Sequence, residues 1–329
     1  MSYDYKAHFG EVTLTQDLMS RRDERRWRLT PPPASGEHHD IVLYLGCNVL
    51  RTSHMVQTVT AIFDRLGLDY VAVGGPSYCC GIVHHGQGDT EAAAGMSRGT
   101  LKLFERFSPR EVVMWCPSCI YFYDEVQHLT LPFPFRQAAE FLVEQLPRLS
   151  VTREVRQRVS LHYHVQNDAR RREGAAGRRL LEAVPGLTFV PVEPEARFGR
   201  ICTAGVQGEV GRAVWDGLVR DEIAPAHAAG ADTLATIYHG CQRLICGFEA
   251  NAPVTIEHYL SVFARALGIE FEDTYKRWML SGDPEAIMAE ASPCMEANGV
   301  DATAARGFVD RTFVPLRRPE RAAEDFTPS

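Results

Sequence analysis

Ile41-Val42-Leu43-Tyr44-Leu45-Gly46-Cys47 is a short apolar run that stops at a glycine and a thiol. An unbroken apolar run with no polar alternation suits a strand buried on both faces of a parallel sheet. Helical spacing follows it: Met55, Val59, Ile62, Phe63 and Leu66 share one face, and Gly67 is placed to cap the end. Tyr70-Val71-Ala72-Val73 reads as a second strand, running into Gly74-Gly75 and then Cys79-Cys80-Gly81. The next helix carries Met96, Leu103, Phe104 and Phe107, and the strand Val112-Val113-Met114-Trp115 ends in Cys116-Pro117-Ser118-Cys119. A fourth helix is expected over roughly 135–146.

The same order returns further along. Ser160-Leu161-His162-Tyr163-His164-Val165 is strand-like, 172–184 looks helical, and Leu187-Thr188-Phe189-Val190-Pro191-Val192 leads towards Cys202. A helix near 209–223 has Val210, Val214, Leu218 and Ile223 on one side, and Leu234-Ala235-Thr236-Ile237-Tyr238 precedes His239-Gly240-Cys241. Asn167, Cys202, Cys241 and Glu257 lie 120, 122, 125 and 117 residues after Cys47, Cys80, Cys116 and Glu140. Such a near-constant offset is the mark of an internal duplication. The expected fold is α/β, with two similar Rossmann-like halves. The expected division is a polar N-terminal arm over 1–39, a first domain over 40–150, a second over 151–270 and a C-terminal extension over 271–329.

Composition narrows the function classes. Hydrophobic residues make up 45% of 329 residues and charged residues 23%, enough for a buried core and against global disorder. A net charge of −7 argues against nucleic acid as the partner, since such domains are usually basic. No run reaches the roughly 18 apolar residues of a membrane span. No apolar segment follows Ser20-Arg21-Arg22-Asp23-Glu24-Arg25-Arg26, which reads as solvated rather than as a leader. A cytoplasmic location is the expectation.

Nine cysteines are the informative feature. The count is odd and the chain long, so a disulfide framework is not the natural reading. Clustered thiols in a reducing compartment point to metal or redox chemistry. In the first half every cysteine falls at a strand end, and the carboxyl edge of an open α/β sheet is where ligands collect. Adjacent strands lie about 4.8 Å apart, so thiolates from three neighbouring ends can converge. Soft thiolates select zinc or iron–sulfur clusters. Zinc takes four ligands in a closed tetrahedron, which five cysteines with an adjacent pair suit poorly; a polynuclear cluster accommodates them better.

The spacing Cys47-x31-Cys79-Cys80-Gly81-x34-Cys116-Pro117-x-Cys119 resembles the cysteine-rich CCG domain of the B-type component of heterodisulfide reductase and its relatives. These include sulfur-oxidising heterodisulfide-reductase-like complexes, lactate-utilisation proteins and the iron–sulfur subunit of anaerobic glycerol-3-phosphate dehydrogenase. The tandem arrangement is also that family's, so the resemblance covers roughly residues 40–270. It implies a noncubane [4Fe–4S] cluster on Cys47, Cys79, Cys80, Cys116 and Cys119, and a disulfide or thiol substrate. The second half departs from the motif. Asn167 stands in place of the first cysteine, Cys202 is preceded by Ile201 and followed by Thr203-Ala204-Gly205, and Leu244 replaces the last ligand. Cys202, Cys241 and Cys246 remain, with His239, His162 and His164 in reach of the same edge. Three cysteines and one histidine, with His239 as the candidate, can hold zinc or a second, cubane cluster. They can equally be metal-free relics or thiols that handle substrate. Cys294 lies outside both repeats and reads as a lone thiol.

Candidate catalytic residues are few. His84 and His85 follow the cysteine pair and can serve as proton donors, or simply bond to the loop backbone. Arg243 can bind an anionic substrate through its fork, or form a surface ion pair. Neither a ferredoxin-type C-x2-C-x2-C-x3-C-P run nor a G-x-G-x-x-G fingerprint occurs in these 329 residues. Electrons are therefore expected to arrive through a ferredoxin-like subunit and a flavoprotein beyond it, with 1–39 and 305–329 as candidate docking segments. The expected substrate is a small disulfide, a thiol or a lipoyl group. A non-catalytic electron-transfer subunit of a flavin-dependent organic-acid or polyol dehydrogenase, and a zinc-binding assembly protein, are the rival readings.

Overall fold

Buried apolar runs build two parallel sheets in a computed structural model that describes residues 3–129, 131–194, 202 and 204–314. The chain divides into two units, Met1–Phe141 with Ala291–Ala302, and Leu142–Glu290 with Thr303–Ser329. The first contains β1 (Trp27–Arg28), β2 (Ile41–Gly46), β3 (Tyr70–Gly74), β4 (Glu111–Met114) and β5 (Phe135–Gln137). All pair in parallel, in the order β1-β3-β2-β4-β5. Every residue of β2 is buried, as the unbroken apolar run requires of the central strand. Met55, Val59, Ile62 and Phe63 on helix Ser53–Arg65 are fully buried, and Gly67 ends that helix in the left-handed region at φ 63°. Helix Thr90–Glu105 starts on Asp89, which accepts the Ala92 amide, and buries Ala93, Ser97, Thr100, Leu101 and Phe104.

The second unit has β6 (Arg158–His162), β7 (Thr188–Phe189), β8 (Thr233–Thr236) and β9 (Thr255–His258), again all parallel, in the order β7-β6-β8-β9. With β1 set aside, both sheets read second, first, third, fourth. Mixed α/β architecture with parallel sheets is thus what the apolar runs indicated, and the shared order is what a duplicated unit requires.

Several expectations need correction. The arm expected over 1–39 is folded across its described residues: Asp4 caps helix Tyr5–Met19, and Trp27–Arg28 adds to the sheet beside β3. Polar contacts hold this segment. Arg25 pairs with Asp17 at 2.6 Å, both side chains only 4% exposed, and the Trp27 indole donates to Gln16 Oε1 at 2.8 Å. Asn298 Nδ2 donates to the carbonyls of Asp17 and Ser20, at 2.7 and 2.9 Å, at the end of that helix. The helix expected from 135 begins instead as β5, and only Ala138–Gln145 is helical. The helix expected near 209–223 is Arg212–Ala228, and its buried face carries Trp215, Val219 and Ile223, while Val210 and Val214 are exposed. The first compact unit ends at Phe141 rather than near 150 and takes in Ala291–Ala302. The extension expected from 271 contains helices Thr274–Ser281, Pro284–Asn298 and Ala302–Thr312. Ile201, Thr203 and the stretch 315–329 of the candidate docking segment lie outside the described residues. Among the described residues no helix is long and apolar enough to cross a membrane.

Candidate metal centre

Three neighbouring strand ends deliver the first group of thiols. Cys47 follows β2, Cys79 and Cys80 follow the short turn Pro76–Tyr78 after β3, and Cys116 opens the helix Pro117–Tyr121 after β4, with Cys119 in its first turn. All five are buried, and none of them is in a disulfide. Thiol contacts run without a break from Cys47 to Cys79, Cys79 to Cys80, Cys80 to Cys119 and Cys119 to Cys116.

Backbone shape makes room for this convergence. β2 shifts register against β3 between Tyr44 and Gly46, and Gly46 turns into the left-handed region at φ 78°. A Cβ at Gly46 would stand 2.9 Å from the Cys116 Cβ and 3.3 Å from the Cys119 Sγ. Gly81, at φ 95°, lies so close to helix Thr90–Glu105 that a Cβ would come within 2.4 Å of the Ala93 carbonyl oxygen. The same helix steadies the cysteine pair: Ser97 Oγ donates to the Cys80 carbonyl at 2.7 Å and Thr100 Oγ1 to the Cys79 carbonyl at 2.8 Å. Tyr44 Oη donates to the Tyr78 carbonyl at 2.6 Å and accepts from Cys119 Sγ at 3.6 Å. Ser97, Thr100 and Tyr44 carry no motif. The spacing of Ser97 and Thr100 on the buried stripe of one helix was the signal available to find them.

Electrostatics show what such a set needs. Contacts with Cys47 and then Cys80 pull the Cys79 thiol well down against its burial, helped by the Gly81 amide at 3.4 Å and the charge of His84. Its neighbours are pushed the other way: Cys47 by the contact with Cys79 and then burial, Cys119 by contacts with Cys116 and Cys80 and then burial. Buried thiolates in contact repel one another, so the group cannot ionise as a whole without positive charge placed among it. Bound iron would supply that charge. The close approach of the thiols at Gly46 and the all-sulfur donor set therefore fit an iron–sulfur cluster.

The other candidates fall as follows. His84 stacks on Tyr5, ring centroids 3.8 Å apart, with Nδ1 3.6 Å from Asp89 Oδ2, and His85 meets Phe122 edge-on at 5.3 Å. In the second unit a different group assembles. His162, His164, Cys202 and Cys241 bring their ligand atoms within 4.8 Å of one another. Cys202 Sγ lies 3.2 Å from His162 Nε2, 3.1 Å from His164 Nε2 and 2.6 Å from Cys241 Sγ, and His162 Nδ1 is 2.7 Å from Glu222 Oε1. Cys246 and His239 are buried but outside this group. Cys246 Sγ donates to the Arg243 carbonyl at 3.7 Å, while burial and then the charge of Arg243 pull His239 down to about 3. Arg243 Nε is buried without a hydrogen-bond partner. Asn167, in the place of the first cysteine, caps helix Asp168–Glu182 by accepting the Arg170 amide at 2.9 Å. Cys294 is half-buried on helix Pro284–Asn298.

Five thiols set this way form a cysteine-rich centre, and the family model of the cysteine-rich domain CCG matches residues 41–122. Beyond that domain the chain is similar to the D-type component of dihydromethanophenazine:CoB–CoM heterodisulfide reductase. The protein from Methanosarcina mazei is 24% identical over 269 residues, which cover 77% of this chain and 65% of the relative. Its counterpart in Methanosarcina barkeri is 23% identical over 270 residues, 77% of this chain and 64% of the relative. The chain thus spans just under two thirds of the length of these curated relatives.

Proposed function

We propose that this chain is an iron–sulfur redox subunit of a heterodisulfide-reductase-like complex, with a noncubane [4Fe–4S] cluster on Cys47, Cys79, Cys80, Cys116 and Cys119. The observation that carries this reading is the unbroken contact of five buried thiols, none in a disulfide, at the ends of three adjacent parallel strands. When bound, the cluster supplies single-electron transfer and an iron that can take a substrate sulfur. The residues around it do the rest. Gly46 and Gly81 let the backbone approach Cys116 and helix Thr90–Glu105 more closely than any side chain would allow, and Ser97 and Thr100 hold the Cys79–Cys80 backbone in one conformation. Burial keeps water from the thiols and lets the surrounding dipoles set the potential.

The substrate in this reading is a small disulfide, its thiol products, or a lipoyl group. Breaking the S–S bond takes two electrons and two protons and yields two thiols. The electrons come singly from a ferredoxin-like partner, fed by a flavoprotein, and His84 and His85 beside Cys80 are the candidate proton donors. The names of the relatives, each one component of an assembled enzyme, support dependence on partners. One observation favours the rival electron-transfer role: the second unit gathers two cysteines and two histidines, so a disulfide held between two like clusters is not built into this chain.

Iron and acid-labile sulfide analysis of the anaerobically purified protein, with EPR, tests the proposal. About four irons per chain, lost in Cys79→Ser, is the expected result. A protein with full zinc and no iron or labile sulfide is the result that sinks it. Turnover of hydroxy acid but of no disulfide or thiol, in the complex, would select the rival role.

A further inference from the structure

The second unit gathers four metal-ligating side chains that the iron–sulfur reading does not use. His162 ends β6, His164 lies two residues on, Cys202 comes from the connection after β7, and Cys241 sits in helix His239–Ile245. Three separate places in the chain thus converge within 4.8 Å, and His162, Cys202 and Cys241 are buried. We propose that His162 Nε2, His164 Nε2, Cys202 Sγ and Cys241 Sγ hold one zinc ion in a closed tetrahedral site, with Glu222 fixing the orientation of His162.

Three features select a single ion. Zinc binds nitrogen at about 2.0–2.1 Å and thiolate at about 2.3 Å, so the edges of its tetrahedron are about 3.3–3.8 Å. The observed separations of 3.1, 3.2 and 3.5 Å between histidine nitrogens and cysteine sulfurs sit at or just under that spacing, and the 2.6 Å between the two sulfurs opens by about an ångström when an ion enters. A cluster of several irons needs ligands spread around a body of metal and sulfide; these donors are packed as for one ion. Two thiolates with two imidazoles is also the donor set that tetrahedral zinc favours over hard cations.

The supporting shell points the same way. His162 Nδ1 faces Glu222 Oε1 at 2.7 Å, which places the proton on Nδ1 and leaves the Nε2 lone pair facing Cys202. A carboxylate behind a histidine is the arrangement that orients metal-bound imidazole. His164 is held by the Tyr238 ring, centroids 4.6 Å apart. With four protein ligands the ion has no open position, and zinc has no redox chemistry. Its role is to tie Cys202 to the ends of β6 and β8, so the two units carry centres of different kinds, one redox and one structural. The set differs from the motif-based expectation by two exchanges: His162 and His164 take the places given to His239 and Cys246.

Zinc K-edge absorption and metal analysis of the anaerobically purified full-length protein test this. The expected result is one zinc per chain with two sulfurs at about 2.3 Å and two nitrogens at about 2.0–2.1 Å. Cys202→Ser and His162→Gln lose the zinc and keep the iron, while Cys246→Ser and His239→Gln keep both. Glu222→Gln weakens zinc binding by about 10–100-fold without removing a ligand. The absorption measurement needs no variant, so misfolding of a ligand variant does not blunt the test. A shell of three or four sulfurs, full zinc in His162→Gln, iron at this site, or a metal-free Cys202–Cys241 disulfide would each overturn the proposal.

Discussion

Gly46 shows how one residue can decide whether a centre forms. Its φ of 78° alone disfavours any side chain, and the Cβ of alanine would press on Cys116 and Cys119. The left-handed backbone costs about 1–2 kcal/mol for a non-glycine residue, and the contact adds to it inside the group of thiols. Gly46→Ala is expected to fold, yet to bind less than half of the wild-type iron, read by iron and labile-sulfide analysis against far-UV circular dichroism. Full iron content in a folded variant would show that the thiols do not need this gap. Much of the residue-scale picture is open to a reader of the chain alone. A glycine and a cysteine at the end of an apolar run mark a turn at a ligand edge, and Cys79-Cys80-Gly81 and Cys116-Pro117-x-Cys119 carry their spacing on the page. Ser97, Thr100 and Tyr44 are not legible in the same way, because each acts through a carbonyl or a thiol distant in the chain, and nothing in their type announces it.

At the scale of elements, the strands whose apolar runs are continuous are the ones sequence reading places, whereas β1, β5 and β9 are missed. β1 has two residues and β5 three, too few for any periodicity, and both exist because β3 and β4 present open edges to them. Helix Tyr5–Met19 is held through Asp17, Arg25, Gln16, Trp27 and Asn298 rather than by an apolar stripe, so in sequence it falls within the polar arm read over 1–39. Asn298 is the informative test. It is buried, donates to one carbonyl in the last turn of the helix and one just past it, and accepts the Arg22 amide at 2.9 Å. Asn298→Ala removes these three hydrogen bonds and is expected to destabilise the protein by about 1–3 kcal/mol in denaturant unfolding, with iron content unchanged. A loss of iron instead would mean that this segment also shapes the thiol site. On helix Arg212–Ala228 the apolar face falls one residue away from the expected one, because Trp215 fills the interior and Val214 is left outside; large aromatic area outweighs a tidy stripe of valines.

Across the whole molecule, two units with the same strand order carry different donor sets, five thiols in one and two thiols with two histidines in the other. A metal that binds only the folded state stabilises it by mass action, about 2.7 kcal/mol at a hundred times the dissociation constant. For units of this size that corresponds to a melting temperature higher by roughly 5–10 °C. Zinc returned to chelator-stripped protein is expected to raise the midpoint by this amount in a thermal scan. An unchanged midpoint would mean that the second group gains nothing from the ion. The sequence by itself determined the class of fold and the five thiols, because continuous apolar runs, glycine turns and fixed cysteine spacing are local and survive without coordinates. Only the tertiary structure decided which second-unit side chains meet. Cys202 lies 40 residues from His162 and 39 from Cys241 in the chain, and at such separations it is the parallel pairing of β6 with β8, not proximity in sequence, that brings donors together.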